Sequence, residues 1–196
     1  MNFKDYYNII KFHGFYRGIL RIKDEIIEIH YFDWKFKVNT KDLKFANQYK
    51  HIDFNPDKHK HYQPTFYTPL KKVGLFLNKF QLSKKNAIVD LGCGYGKPLI
   101  ILNKFINSDN ALYGVELDID FKKIFLKNFK NKNVKFVNKK VEDFKMIDFY
   151  ETLDRGTETV IFHNKNSFGK EIVRKNLEEI KYLKNKNLKV LYIFSN

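Results

Sequence analysis

From residue 85 onward the chain alternates between two hydrophobic rhythms. Nearly continuous apolar runs at 87–91, 111–115, 134–137, 159–162 and 190–194 have the length and composition of strands. Between them, apolar positions recur at helical spacing. Phe121, Ile124, Phe125 and Phe129 mark a helix over 121–129, and Ile172, Leu177, Ile180 and Leu183 the inner side of a charged helix over 171–183. A helix over 97–105 carries Pro98 in its first turn, where a missing N–H costs nothing. Leu70, Val73, Leu75, Phe76 and Leu77 predict one more over 65–80, weakened at Gly74. Strands alternating with helices call for right-handed crossovers and a mainly parallel sheet, so the fold class is α/β.

Residues 1–60 are aromatic and irregular by comparison. Ile19-Leu20-Arg21-Ile22 and Ile26-Ile27-Glu28-Ile29-His30-Tyr31 flank the polar Lys23-Asp24-Glu25, which predicts a β-hairpin. A third extended piece is expected around 34–38. The stretch 47–64 reads as a loop, and its His51, His59 and His61 lack both the i, i+4 spacing of a helical ligand pair and a carboxylate pattern. No metal site is expected there. The division drawn from this contrast is an N-terminal extension, 1–64, serving as a lid, and a ligand-binding domain, 65–196.

Composition narrows the picture. The chain has 196 residues, enough for one hydrophobic core, and 20 Phe and 12 Tyr set it apart from disordered sequences. Its 37 Lys and Arg against 22 Asp and Glu give a net charge of +15. Such a field attracts polyanions, so nucleic acid enters as an expected partner. The positive residues are mostly Lys, which is also the profile that an A/T-rich genome imposes and is poorly suited to bidentate phosphate binding. Cys93 is the single cysteine, so an internal disulfide and a cysteine-based metal site are both excluded. With no membrane-length apolar run and no secretion signal, the expected location is cytoplasmic.

The segment richest in chemistry is Asp90-Leu91-Gly92-Cys93-Gly94-Tyr95-Gly96-Lys97. A strand runs into three alternate glycines and a helix follows at once. Glycine is required where φ is positive or where a ligand meets bare backbone. Dinucleotide binders use G-x-G-x-x-G to aim a helix N-terminus at a pyrophosphate; the pattern here is G-x-G-x-G after an acid. Asp90 would repel a pyrophosphate and suits the ammonium and sulfonium groups of a methionine moiety. Glu116 follows the next strand, about 20 residues after Gly96, where a carboxylate accepts bonds from ribose hydroxyls.

Residues 86–143 resemble a class I S-adenosylmethionine-dependent methyltransferase, of a small bacterial type. Asp90-x-Gly92-x-Gly94-x-Gly96 is similar to the family's first motif and Gly114-Val115-Glu116-Leu117-Asp118 to its second. The resemblance implies a Rossmann-like three-layer sandwich and S-adenosyl-L-methionine as cofactor. It places Gly92, Cys93 and Gly94 at the methionine and ribose end, with Gly96 closing the loop, Glu116 on the ribose and Leu117 beside it. Where the family often holds adenine with an acid, Asn138-Lys139-Lys140 stands instead; Glu142 or Asp143 takes that role, and Val141 offers backbone contacts. His61-Tyr62-Gln63-Pro64-Thr65 resembles a segment that closes over the methionine end, which brings in Tyr62 and Thr65. The run from Asp33 to Thr40 resembles an Asp-to-Thr signature of the same group, minus its glycine.

After the fourth strand, His163-Asn164-Lys165-Asn166-Ser167-Phe168-Gly169 resembles a turn that faces the transferable methyl, with Ser167 in place of Pro. That implies Asn164 and Asn166 as amides positioning an acceptor amine, or His163 as general base for a hydroxyl. Direct in-line displacement from an activated sulfonium needs alignment above all, so no dyad is required. The family's sheet carries two further strands beyond the five counted. Its edge is then expected to be covered by the hairpin or by a second subunit in a dimer, or the protein is a shortened one. The acceptor is a small molecule, glycan or protein. The alternatives are a nucleic-acid methyltransferase and a cofactor-binding module without catalysis.

Overall fold

The computed structural model describes residues 7–8, 10–12, 14–26, 31–40, 67–80, 82, 85–106, 109–130, 133–153, 155–165, 170–184 and 186–195. The chain divides into two compact units, Met1–Lys41 and Asp42–Asn196.

The first unit overturns the expected hairpin. Helix α1 runs over Phe15–Ile26, through the first predicted arm and its turn. Of the second arm, 26–31, Ile26 is the last residue of this helix and 27–30 lie outside the described residues. The physical reason is visible in the spacing: Phe15, Ile19 and Ile22 repeat at the helical period, which outweighs the local alternation around Lys23. The extended piece expected at 34–38 is also a helix, α2, over Phe32–Phe36. Lys37 ends it in the left-handed region, with φ of 53°. Beyond it the Asp33 carboxylate accepts from both the N–H (2.9 Å) and the hydroxyl (2.5 Å) of Thr40. The two ends of the Asp-to-Thr run are thus bonded to each other.

In the second unit the α/β expectation holds, and the five expected strands all form. They are β1 (Lys85–Leu91), β2 (Asp109–Glu116), β3 (Val134–Asn138), β4 (Thr159–Lys165) and β5 (Lys189–Ser195). All neighbours pair in parallel, in the order β3-β2-β1-β4-β5. This is a Rossmann-like sheet whose direction of growth reverses between β1 and β4. The expected helices appear as α3 (Tyr67–Lys79), α4 (Lys97–Phe105), α5 (Phe121–Asn128) and α7 (Lys170–Lys184). A short helix α6, Met146–Thr152, and a 3₁₀ turn, Val141–Asp143, were not expected.

Strand alternation divides the core into two layers. On one face Val89, Tyr113 and Phe162 pack with Met146 and Phe149 of α6 and with Ile180 and Leu183 of α7. On the other, Gly114 and Phe136 meet Phe125 of α5. Central strands buried on both faces explain why their sequences read as unbroken apolar runs. Gly74 does not merely weaken α3: a Cβ there would stand 2.8 Å from Cβ of Phe105, so its bareness lets α3 approach α4.

Candidate functional site

Ligands of open α/β sheets bind beyond the carboxyl ends of the strands, at the switch in strand order. Here that position lies between the ends of β1 and β4. The loop leaving β1 turns through Gly92, Gly94 and Gly96, with φ of 78°, 48° and 83°. The N–H groups of Gly92 and Cys93 both donate to the Val115 carbonyl, at 2.8 and 3.0 Å, which binds the loop to the end of β2.

Glu116 reaches back to this loop. Its Oε2 accepts from the N–H of Gly94 (2.9 Å), and its Oε1 from the N–H groups of Leu117 (2.8 Å) and Asp118 (3.2 Å). The first and second motifs therefore meet through one carboxylate. Burial raises its pKa above the ordinary value; the three N–H donors act in the opposite direction, and the Asp118 charge adds to the rise. Asp118 is raised too, chiefly by burial.

Asp90 and His163 stand in register on β1 and β4, and Asp90 Oδ1 lies 2.6 Å from His163 Nδ1. Both are 1% exposed. With the carboxyl ionised, Nδ1 must carry the proton, so the imidazole holds Asp90 in one orientation. The second carboxylate oxygen, Oδ2, is buried and has no hydrogen-bond partner among the described residues. A buried carboxylate oxygen without a donor is costly, and an incoming cationic group would satisfy it.

Cys93 lies within the electrostatic reach of both acids. Burial first, then Glu116 and Asp90, push its thiol well above the ordinary value. Burial and the two acids together favour its neutral thiol form. Gly96 begins α4, and a Cβ there would stand 2.5 Å from the ring of Phe129; packing dictates this glycine.

The other expected positions divide. Asn164 is buried, but alternation sends it to the sheet face opposite His163, where its Nδ2 donates to the hydroxyl of Tyr192 (2.9 Å). Its Oδ1 has no partner among the described residues. Tyr192, on β5, had no sequence signal; burial raises its pKa. Val141 belongs to the apolar cluster, and Glu142, half-buried, offers its backbone carbonyl to Lys175. Asn138 donates to the carbonyls of Glu116 (3.1 Å) and Leu117 (2.7 Å), so the residue standing where an acid was expected fixes the turn that carries Glu116. Tyr62, Thr65 and Asn166 lie outside the described residues, as do His51, His59 and His61. Among the described residues no cluster of His, Cys, Asp or Glu could hold a metal ion, and no helix is long and apolar enough to cross a membrane.

No protein-family model and no curated protein matches the sequence. Solved structures do show likeness. A proposed S-adenosyl-L-methionine-dependent methyltransferase from Methanococcus maripaludis is 18% identical over 65% of this chain and 57% of its own, with a TM-score of 0.45. A proposed rRNA-methylase from Clostridium thermocellum is 14% identical over 58% and 64%, with a TM-score of 0.42. The plantazolicin methyltransferase BpumL, solved with a desmethyl analogue and SAH, is 19% identical over 66% and 48%, with a TM-score of 0.43. The chain thus matches less than two-thirds of the length of each. The Rossmann-like fold stands on strand order and register.

Proposed function

We propose that the second unit binds S-adenosyl-L-methionine and transfers its methyl group to an acceptor by direct displacement. The observation that carries this reading is the pairing of a bare-backbone loop with two carboxylates, Asp90 and Glu116, at the switch point of the sheet. Carboxylates there disfavour a pyrophosphate and favour a cationic nucleoside. Asp90 Oδ2 supplies the acceptor an ammonium group needs, and His163 keeps that carboxylate oriented. Glu116 keeps one lone pair, on Oε2, for a ribose hydroxyl beyond the three N–H groups it already holds. When bound, the cofactor supplies a methyl group already activated by its sulfonium charge. The protein's part is then alignment, exclusion of water and recognition of both ends of the cofactor. The acceptor is a small molecule, a glycan or a protein.

Calorimetry with S-adenosylmethionine and, separately, with NAD tests the reading. Binding of the first alone is expected, and Glu116→Ala should weaken it by about 1–3 kcal/mol through lost charge-assisted bonds. Unchanged affinity in that variant takes Glu116 out of the site. Heat from NAD and none from S-adenosylmethionine overturns the whole assignment.

A further inference from the structure

Residues 121–140 hold eight Lys and no Asp or Glu. Lys-rich composition alone does not produce this, since α7 is nearly as rich in cations yet interleaves Glu171, Glu178 and Glu179 with them. Four of the eight share one surface. Phe121 and Phe125, 2% and 0% exposed, turn one side of α5 to the core. At 100° per residue Lys123 and Lys127 then point away from the core and Lys122 lies on the flank, with Lys130 just past the helix end. All four are exposed, and none is in an ion pair among the described residues. Two further Lys are engaged elsewhere: Lys135 donates to the Thr152 carbonyl (3.0 Å) and Lys139 pairs with Asp148 (3.3 Å). Acids flank the stretch without entering it. Asp118 is buried and Asp120 stands at the start of α5, while Glu142 and Asp143 follow in the 3₁₀ turn.

The chemistry of this face selects its occupant. A second copy of it would set Lys against Lys. A lipid surface calls for an apolar stripe beside the charges, to enter the acyl boundary. The stripe of α5 is spent on the core, and only Leu126 on the helix and Ile119 before it are open. An acidic protein is held best by Arg, whose planar fork matches a carboxylate, and residues 121–140 contain no Arg. Lys is a point charge that meets a phosphate without fixing its orientation, as contact with a nucleic-acid backbone independent of sequence requires. We propose that the outer face of α5 binds nucleic acid through its phosphate backbone. This does not depend on the cofactor reading.

The full chain is titrated into a labelled single-stranded RNA and binding is read by fluorescence anisotropy across a range of salt concentrations. Binding is expected at low salt, with a slope of log affinity against log salt of about −3, as four neutralised phosphates on a single strand give. Lys123→Ala with Lys127→Ala should weaken binding by about tenfold at low salt and make the slope shallower by about 1.4, with an unchanged thermal melt. Lys170→Ala with Lys181→Ala, at exposed positions of α7, removes the same net charge and should change both quantities far less. Lys122→Ala with Lys130→Ala serves as a second probe should the first α5 variant unfold. No binding at low salt overturns the proposal. So does an equal loss in the α5 and α7 variants, which would assign the binding to net charge alone. Binding to phosphatidylglycerol vesicles with none to RNA overturns it as well.

Discussion

Glu116 illustrates how one side chain can join two motifs. Its carboxylate ties Gly94 to the turn after β2, yet burial raises its pKa, so folding favours its protonated form. Its contribution to stability is therefore present in full below the ordinary carboxylate range and is lost as pH rises through the raised folded value. Glu116→Gln, neutral throughout, should gain on the parent protein over that rise. Denaturant unfolding of both from about pH 4 to about pH 7 measures this, and a constant difference would mean that the carboxyl is not the source. Gly96 is a different constraint. An added Cβ would stand 2.5 Å from one Phe129 ring atom and 2.9 Å from a Phe125 ring atom, on a backbone with φ of 83°. Gly96→Ala should cost about 1–3 kcal/mol by overpacking, with strain in addition, and a thermal melt reads it directly. The glycine was legible in the sequence. The rings that require it were not, because Phe125 and Phe129 lie 29 and 33 residues further on.

Among the elements, the buried strands were the easiest to foresee and the short or amphipathic helices the hardest. β1 is buried at six of seven positions, so its sequence is an apolar run with little competing pattern. α6, with seven residues and only Met146 and Phe149 buried, spans too few turns to show a period. It nevertheless supplies a central contact: the Phe149 ring meets Tyr113 at 4.8 Å, Phe144 at 5.8 Å and Phe162 at 5.9 Å. Phe149→Ala should therefore cost about 3–5 kcal/mol, measured by denaturant unfolding; a cost below 1 kcal/mol would mean that the cluster can close over the gap. In α1 the error lay in the choice of period. Four apolar residues within Ile19 to Ile22 and Ile26 fit a strand locally, and only the stripe running back to Phe15 tells helix from strand.

For the molecule as a whole the net charge of +15 is a standing cost, since like charges repel more strongly in the compact state. The melting temperature should rise when salt is increased from about 0.02 M to about 0.3 M, because the screening length then falls well below the size of a domain. A falling melting temperature would show that attractive pairs outweigh the repulsion. The same scale separates what was readable from what was not. Sequence alone determined the alternation of strands and helices, the α/β class, the glycine spacing and the two acids beside it. Those are set by covalent geometry and short-range period, which act within a few residues. Only the tertiary structure decided that β1 lies between β2 and β4, that Asp90 bonds a histidine 73 residues away, and that His163 and Asn164 part to opposite faces. These follow from which buried polar groups can satisfy one another once water is gone, a condition imposed by the packed whole and by no local stretch of chain.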